Sequence, residues 1–506
     1  MSGIRKFTKD AQRGQAMVLI AITFVGLAAF IGLTVDAGIL FAQYGHLRRG
    51  VDAAALGAAN QYRVDVSYDE MEESAQQYLE LNNLDHATAS LKVCNTRDTG
   101  TPVGSRPYHD NDLCPAGYDG SADYTTATER FEKLVEVEAD LPVEFAFLQI
   151  IGFDGVTIRA GAEAEAASLD LVLTIDTSES MSYDGPDGED TDPATCNPTD
   201  SCEPFRDVRQ AAKDFVDEMF FPFDRIAVVS FAHIPDQHIA LEPHHSLPEG
   251  TTAAAVKSAI DTLEVQASPT ESNKLTCACY WDDCDGDSVP DGNLGGCQVT
   301  NVADGLELAG VELANYGDEE AVWVVVLLGD GAANQARNPT PTNAPIDDWY
   351  CPGSVGNPTW VQPYCRDDDP TEGNFPDTSS HGAYGFDAED AARAAGFTVG
   401  CHANADPDQS TWCDTEGVDG IGSLIFTIGL GDKLTNDPDS PGFPNAGEEL
   451  MRRIAATGDD GDPTTNPCSA YGVGTSCGNY YFAATTADLD PAFDAIAERI
   501  FTRITR

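Results

Sequence analysis

Leu169-Asp170-Leu171-Val172-Leu173-Thr174-Ile175 runs directly into Asp176-Thr177-Ser178-Glu179-Ser180. The first seven residues are mostly apolar, the pattern of a strand covered on both faces. The next five form a D-x-S-x-S loop in which residues 176, 178 and 180 all carry oxygen side chains that can converge on one point. Open α/β sheets place their ligands at the carboxyl ends of such buried strands. The stretch therefore predicts an architecture and the end of it where chemistry belongs.

Downstream, apolar strands alternate with amphipathic helices, the signature of a doubly wound, Rossmann-like α/β domain. A helix is expected from about Asp207 to Met219, then a strand over RIAVVSF (225–231), an edge strand near HIALEP (238–243) and a helix near Thr252 to Leu263. Gln298-Val299-Thr300-Asn301 precedes a helix over Val302 to Asn315, and AVWVVVLLGDG (321–331) supplies a central strand ending in Asp330-Gly331. SLIFTIGLGD (423–432), a helix over Gly447 to Ala456, NYYFAA (479–484) and a helix over Asp488 to Arg503 complete the sheet. On this reading the domain spans 168–506, with insertions near 265–299, 333–387, 401–420 and 458–478.

The order D-x-S-x-S, then Thr300, then Asp330-Gly331 after an apolar strand resembles the metal-ion-dependent adhesion site (MIDAS) of von Willebrand factor A (vWA) domains. The resemblance covers Leu169 to Arg506. It implies that Ser178 and Ser180 give hydroxyl oxygens to a cation, that Thr300 does so directly or through water, and that Asp176 and Asp330 act largely through bound waters. The ion implied is Mg2+, or Mn2+, a hard cation that prefers oxygen ligands and keeps some waters. A carboxylate from a protein ligand would then complete its sphere. Gly329 departs from the family pattern, which often has threonine before the aspartate. The alternative is a structural component with a metal-dead vWA domain. No enzyme is expected, because no motif links a histidine base to Ser178 or Ser180 and H-E-x-x-H does not occur.

Upstream, Ala16 to Val35 is twenty residues without a charge, the ~20 that span a bilayer as one helix. Arg5, Lys6, Lys9 and Arg13 precede it. The positive-inside rule then makes 1–15 a cytoplasmic tail, 16–35 a transmembrane helix and the remainder extracytoplasmic, a single-pass protein of the cell membrane. A cleaved signal peptide is the alternative, but its apolar region is shorter, at ~7–15 residues. The helix is expected to continue past the span, with small residues crowding Val51 to Ala59. Tyr68 to Leu81 reads as a helix, and KLVEVEADLPVEFAFLQ (133–149) and VTIRAGAEAEA (156–166) read as strands. A small α+β region packed on the long helix is expected over 36–167.

Around the apolar span, Arg13-Gly14-Gln15-Ala16, Val35-Asp36-Ala37-Gly38 and Val51-Asp52-Ala53-Ala54-Ala55-Leu56-Gly57-Ala58 are similar to the N-terminal region of TadE/TadG-like Flp pilus-assembly proteins. The resemblance implies a pilin-like region and pilus or envelope partners. Some pilin-like members are cleaved after a glycine and carry a glutamate five residues on. Counting from Gly14, Leu19 stands there, which favours a retained anchor.

With 506 residues, more than one core is expected. The chain has 84 Asp and Glu against 28 Lys and Arg, a net charge of −56. That excludes a nucleic-acid binder and suits a soluble face that meets divalent cations or basic partners. At 42% hydrophobic residues the chain is nonetheless a folded protein. All 14 cysteines lie beyond residue 90, many in close pairs within polar loops. This predicts disulfides and an oxidising compartment. The local pairs are Cys94 with Cys114, Cys196 with Cys202, Cys351 with Cys365, Cys401 with Cys413 and Cys468 with Cys477. Cys277, Cys279, Cys284 and Cys297 form a further cluster of open pairing, for which zinc is the rival reading despite its lack of paired C-x-x-C spacing.

Within that cluster Asp283, Asp285, Asp287 and Asp291 recur at calcium-loop spacing. The run D-C-D-G-D-S-V-P-D is similar to a thrombospondin type 3 repeat, which implies Ca2+; a plain acidic turn is the alternative. An EF-hand fits worse, since Ser288 takes the sixth-position glycine and Leu294 the twelfth-position glutamate. This insertion ends just before Thr300, and the one near 333–387 leaves just after Asp330. Stapled loops are thus expected around the metal face, either as its selectivity surface or as exposed decoration.

Overall fold

The computed structural model describes residues 7–62, 66–93, 113–114, 132–182, 192–221, 223–232, 234–241, 249–266, 300–333, 336–337, 349–350, 388–401, 420–436, 444–460 and 467–504. Among these the chain divides into two compact units, one ending at Ala166 and the other beginning at Ala167.

In the first unit, α1 (Phe7–Ala59) is unbroken, as its lack of proline allows. It is long and apolar enough to cross a membrane. Leu19, Phe24 and Phe30 in its apolar part are all exposed, whereas Leu47, Val51, Ala54, Ala55 and Ala58 further on are fully buried. That spacing is one helical stripe, and it packs against α2 (Tyr68–Leu81) and against a three-stranded sheet. A side chain at Gly57 would strike the Tyr78 ring, so the small residues let α2 approach closely. Ser67 and Glu70 form a capping box that starts α2.

Strands β1 (Thr88–Val93), β2 (Lys133–Glu144) and β3 (Gly155–Ala166) form this antiparallel sheet in that order. β1 is not among the expected strands, although its side chains alternate between exposed and buried. The strand expected over 133–149 stops at Glu144, and 145–154 turn back through a short 3-10 helix at Leu148–Ile151. The cause is a long-range contact. The buried Asp36 carboxylate on α1 accepts the N–H groups of Ala146, Phe147 and Leu148 at 2.7–3.1 Å, capping the turn as an N-cap side chain would.

In the second unit the strands are β4 (Leu169–Asp176), β5 (Arg225–Phe231), β6 (Asp236–Ile239), β7 (Val322–Gly329), then β8 (Ala336–Arg337) paired to β9 (Trp349–Tyr350), β10 (Leu424–Leu430) and β11 (Tyr480–Ala483). The main sheet has the order β11-β10-β7-β4-β5-β6, all parallel except the edge strand β6. Counted within this unit, that is the doubly wound order 3-2-1-4-5-6. Leu171, Leu173 and Ile175 face a layer of α3 (Phe205–Asp217), α4 (Glu249–Asp261) and α8 (Leu489–Ile504). Val172 faces the opposite layer of α5 (Val302–Tyr316), α6 (Ala388–Gly400) and α7 (Ala446–Asp460). The alternation along one strand thus builds both cores.

α6 is not among the expected helices, because its alanine-rich face lies between two polar insertions. α7 continues to Asp460, into the stretch expected to be an insertion. Disulfides join Cys196 to Cys202 and Cys468 to Cys477, and Cys114 and Cys401 are disulfide-bonded as well. The remaining cysteine pairings, and the cluster from Cys277 to Cys297, involve residues outside those described.

Candidate metal centre

The switch point of a doubly wound sheet lies between its first and fourth strands, here β4 and β7, where the connections leave in opposite directions. Asp176 ends β4 and Asp330 comes directly after β7. Asp176 is fully buried, and its Oδ1 accepts the Ser178 N–H at 2.8 Å. Ser180 Oγ donates to Asp330 Oδ1 at 2.8 Å and lies 2.9 Å from Ser178 Oγ. Four of the five expected residues therefore meet in one oxygen-rich cluster.

Thr177 holds the loop in place. Its N–H and hydroxyl both donate to the Phe231 carbonyl at the end of β5, at 2.8 and 3.1 Å, and its own carbonyl accepts the Gln266 N–H at 2.8 Å. The next carbonyl on β5's exit, Ala232, accepts the Asn301 N–H at 2.8 Å. Thr300, buried beside Asn301, is thereby brought to the same end of the sheet. Asn301 caps α5 through the Asp304 N–H, and Gly305 lets the helix approach β5, since a Cβ there would lie 2.9 Å from the Phe231 ring. The cap was readable from sequence as asparagine before an apolar helix; the clamps on Thr177 had no sequence signal.

The two ends of β4 differ. Asp170, at its start, is a buried carboxylate fully engaged by the Arg225 guanidinium and by the Asp318 N–H at 2.6 Å. Asp176, at its end, forms no ion pair among the described residues, and its buried Oδ2 has no hydrogen-bond partner. Burial, and then the nearby Asp330 carboxylate, push the Asp176 carboxyl well above the usual aspartate range, against the pull of the Ser178 N–H, the Ser178 hydroxyl and the Asp330 N–H. A buried carboxylate without a counter-charge is costly, and a cation is the usual remedy. Gly329 belongs to this arrangement: a Cβ there would lie 3.3 Å from Asp176 Oδ2 and 2.8 Å from Met451 Cε. The departure from threonine leaves room beside the unpaired oxygen.

The donors are carboxylate and hydroxyl oxygens, which suit a hard divalent ion rather than a soft one. Among the described residues no three His, Cys, Asp or Glu side chains are grouped for metal binding, so the cluster is sparing in charge. The calcium reading rests on Asp283, Asp285, Asp287 and Asp291, which lie outside the described residues.

Gly474-Thr475-Ser476-Cys477-Gly478 has the letters of the hydrolase G-x-S-x-G elbow, and the structure separates it from that role. The elbow turns from a strand into a helix. Here the segment lies in the Cys468–Cys477 loop and leads into β11, with Ser476 Oγ accepting the Phe482 N–H at 2.9 Å.

No family model and no curated protein matches the sequence. Solved structures do. Proximal thread matrix protein 1 from the mussel byssus, with a zinc-occupied MIDAS motif, is 15% identical over 66% of this chain, with a TM-score of 0.32. The match covers 46% of that protein, so the chain spans about half its length. The vWF domain of the type V pili tip protein Mfa5 from Porphyromonas gingivalis is 16% identical over 68% of this chain and 98% of that domain, with a TM-score of 0.33. The PilB minor pilin of Streptococcus sanguinis is 14% identical over 74% of this chain and 76% of its own, with a TM-score of 0.35. The doubly wound fold itself rests on the strand order and directions given above.

Proposed function

We propose that this chain is a membrane-anchored, extracytoplasmic binding protein whose vWA-type domain holds a divalent cation at Asp176, Ser178, Ser180, Thr300 and Asp330. The observation that carries the reading is the buried, unpartnered Asp176 Oδ2 beside a second carboxylate and two hydroxyls at the switch point. Mg2+ or Mn2+ suits these donors and would supply an electrophilic position for a carboxylate of a protein ligand. This chain's own part is to set the oxygens in place. Thr177 fixes the loop, Asp176 orients Ser178 through its N–H, and Asp330 orients Ser180. The role is binding rather than catalysis, in adhesion or in pilus assembly of the Flp/Tad kind, with α1 as the anchor and its N-terminus in the cytoplasm.

A second reading is a structural envelope or pilus-associated component with a metal-dead site. What favours it is the chain of hydrogen bonds from Ser178 through Ser180 to Asp330, which satisfies those oxygens without a cation.

Calorimetric titration of the full chain in detergent with Mg2+ and Mn2+, beside Asp176→Ala and Ser178→Ala, separates the two. Binding by the parent that both substitutions abolish supports the metal-dependent reading. A parent that takes up neither ion, or variants that bind as it does, leaves the structural reading. Ca2+ is titrated separately because of the Asp283 to Asp291 run.

A further inference from the structure

The tip of the β2–β3 hairpin, Phe145 to Phe153, reads FAFLQIIGF and carries no charge in a chain with a net charge of −56. Phe147, Ile150, Ile151 and Phe153 are exposed, Ile150 by 81%. An exposed apolar cluster of this kind marks a contact surface.

The position of the tip says which contact. Asp36, one residue past the apolar span, receives three of its N–H groups. Phe147 packs at Gly32, where an added Cβ would lie 2.9 Å from its own Cβ. Gly32 and Asp36 are about one helical turn, ~6 Å, apart, so Phe147 sits within the last turn of the span. Seven of the nine N–H groups from Phe145 to Phe153 have named partners. Ala146, Phe147 and Leu148 donate to Asp36, Phe145 to the Asp154 carbonyl, Ile150 to Phe147, Gly152 to Gln149 and Phe153 to Leu148. Each paired N–H lowers the cost of bringing irregular backbone toward a low-dielectric medium. A water-rimmed protein interface imposes less of that cost.

We propose that the Phe145 to Phe153 hairpin is a second membrane element, which lies in the outer headgroup and acyl boundary of the bilayer that α1 crosses. Asp36 locks it to the helix, so the extracytoplasmic sheet is held against the membrane at two points rather than one. The proposal rests on the membrane-spanning reading of α1.

The test is tryptophan quenching in the full chain reconstituted in phosphatidylcholine vesicles, using lipids brominated either close to the headgroup or near the acyl-chain end. Emission of Ile150→Trp and Phe153→Trp is taken as the difference from the parent with its 5 native tryptophans. Phe24→Trp, in the middle of the span, reports on α1. The expected result is loss of about half of the added emission at 150 and 153 with shallow bromines, as for an interfacial segment, and quenching at 24 by deep ones. Quenching at 24 with neither hairpin position affected overturns the hairpin proposal while the span stands. No quenching at any of the three overturns the span and the proposal together.

Discussion

Ser180 Oγ donates to Asp330 Oδ1 at 2.8 Å across 150 residues of sequence, tying the loop after β4 to the loop after β7. Ser180→Ala removes one hydrogen bond to a largely buried carboxylate. That costs about 1–3 kcal/mol, read as a lower Tm in chelator. On the metal-dependent reading the variant also loses the rise in Tm that Mg2+ gives the parent. If the variant keeps the full Mg2+ response, Ser180 is not a ligand.

Asp176 gives the proposed metal site a pH signature. Its carboxyl is raised by burial and then by Asp330, so the folded chain keeps a proton that the unfolded chain releases above the ordinary value of 3.8. By linkage, the metal-free protein loses stability as pH rises through and beyond that value. Asp176→Asn removes this loss. In chelator at neutral pH it is expected to melt above the parent, with the gap closing toward pH 4. Parallel Tm profiles for the two across that range would contradict the assignment.

Asn197 braces the site from a distance. Its side chain donates to the Val265 carbonyl at 2.7 Å and accepts the Val265 N–H at 3.0 Å, and the next residue, Gln266, holds the Thr177 carbonyl. Asn197→Ala is expected to cost about 1–2 kcal/mol in urea unfolding, the value of a lost pair of partly buried hydrogen bonds. Metal affinity should weaken about threefold, or ~0.7 kcal/mol, because the clamp on Thr177 loosens. A loss of stability with unchanged affinity would confine Asn197 to the fold.

The fold was legible where period and burial agree. LDLVLTI and WVVVLLG are too apolar to be anything but central strands, and the sheet order comes from their alternation with helices. The oxygen cluster was legible because its members sit in short local patterns, D-x-S-x-S and the Asp after β7. What stayed hidden was set by contacts distant in sequence. FAFLQ reads as strand by composition, and it ends as a turn because Asp36, 110 residues away, accepts the Ala146 N–H. Gly329 looked like a defect in the motif, and only the proximity of Met451 and Asp176 shows what its missing side chain makes room for.

Asp490 tests how much the acidic surface costs. It lies in the first turn of α8, packed beside α3 through Phe215 and Phe493, whose ring centroids are 5.0 Å apart. A carboxylate in a first helical turn is ordinarily favourable. Here partial burial, and then the charges of Asp214, Asp494 and Asp207, raise its pKa above 3.8. The unfolded chain releases this proton first, so the folded state loses stability as pH climbs past that value. Asp490→Asn should therefore stabilise the protein at neutral pH. The side chain is largely exposed, so screening limits the gain to about 0.2–0.5 kcal/mol, the scale of like-charge pairs on helices. The gain should shrink in ~1 M salt, where the Debye length falls to ~3 Å. A gain that persists undiminished in salt would mean that helix capping, rather than repulsion from the neighbouring carboxylates, sets the balance at this position.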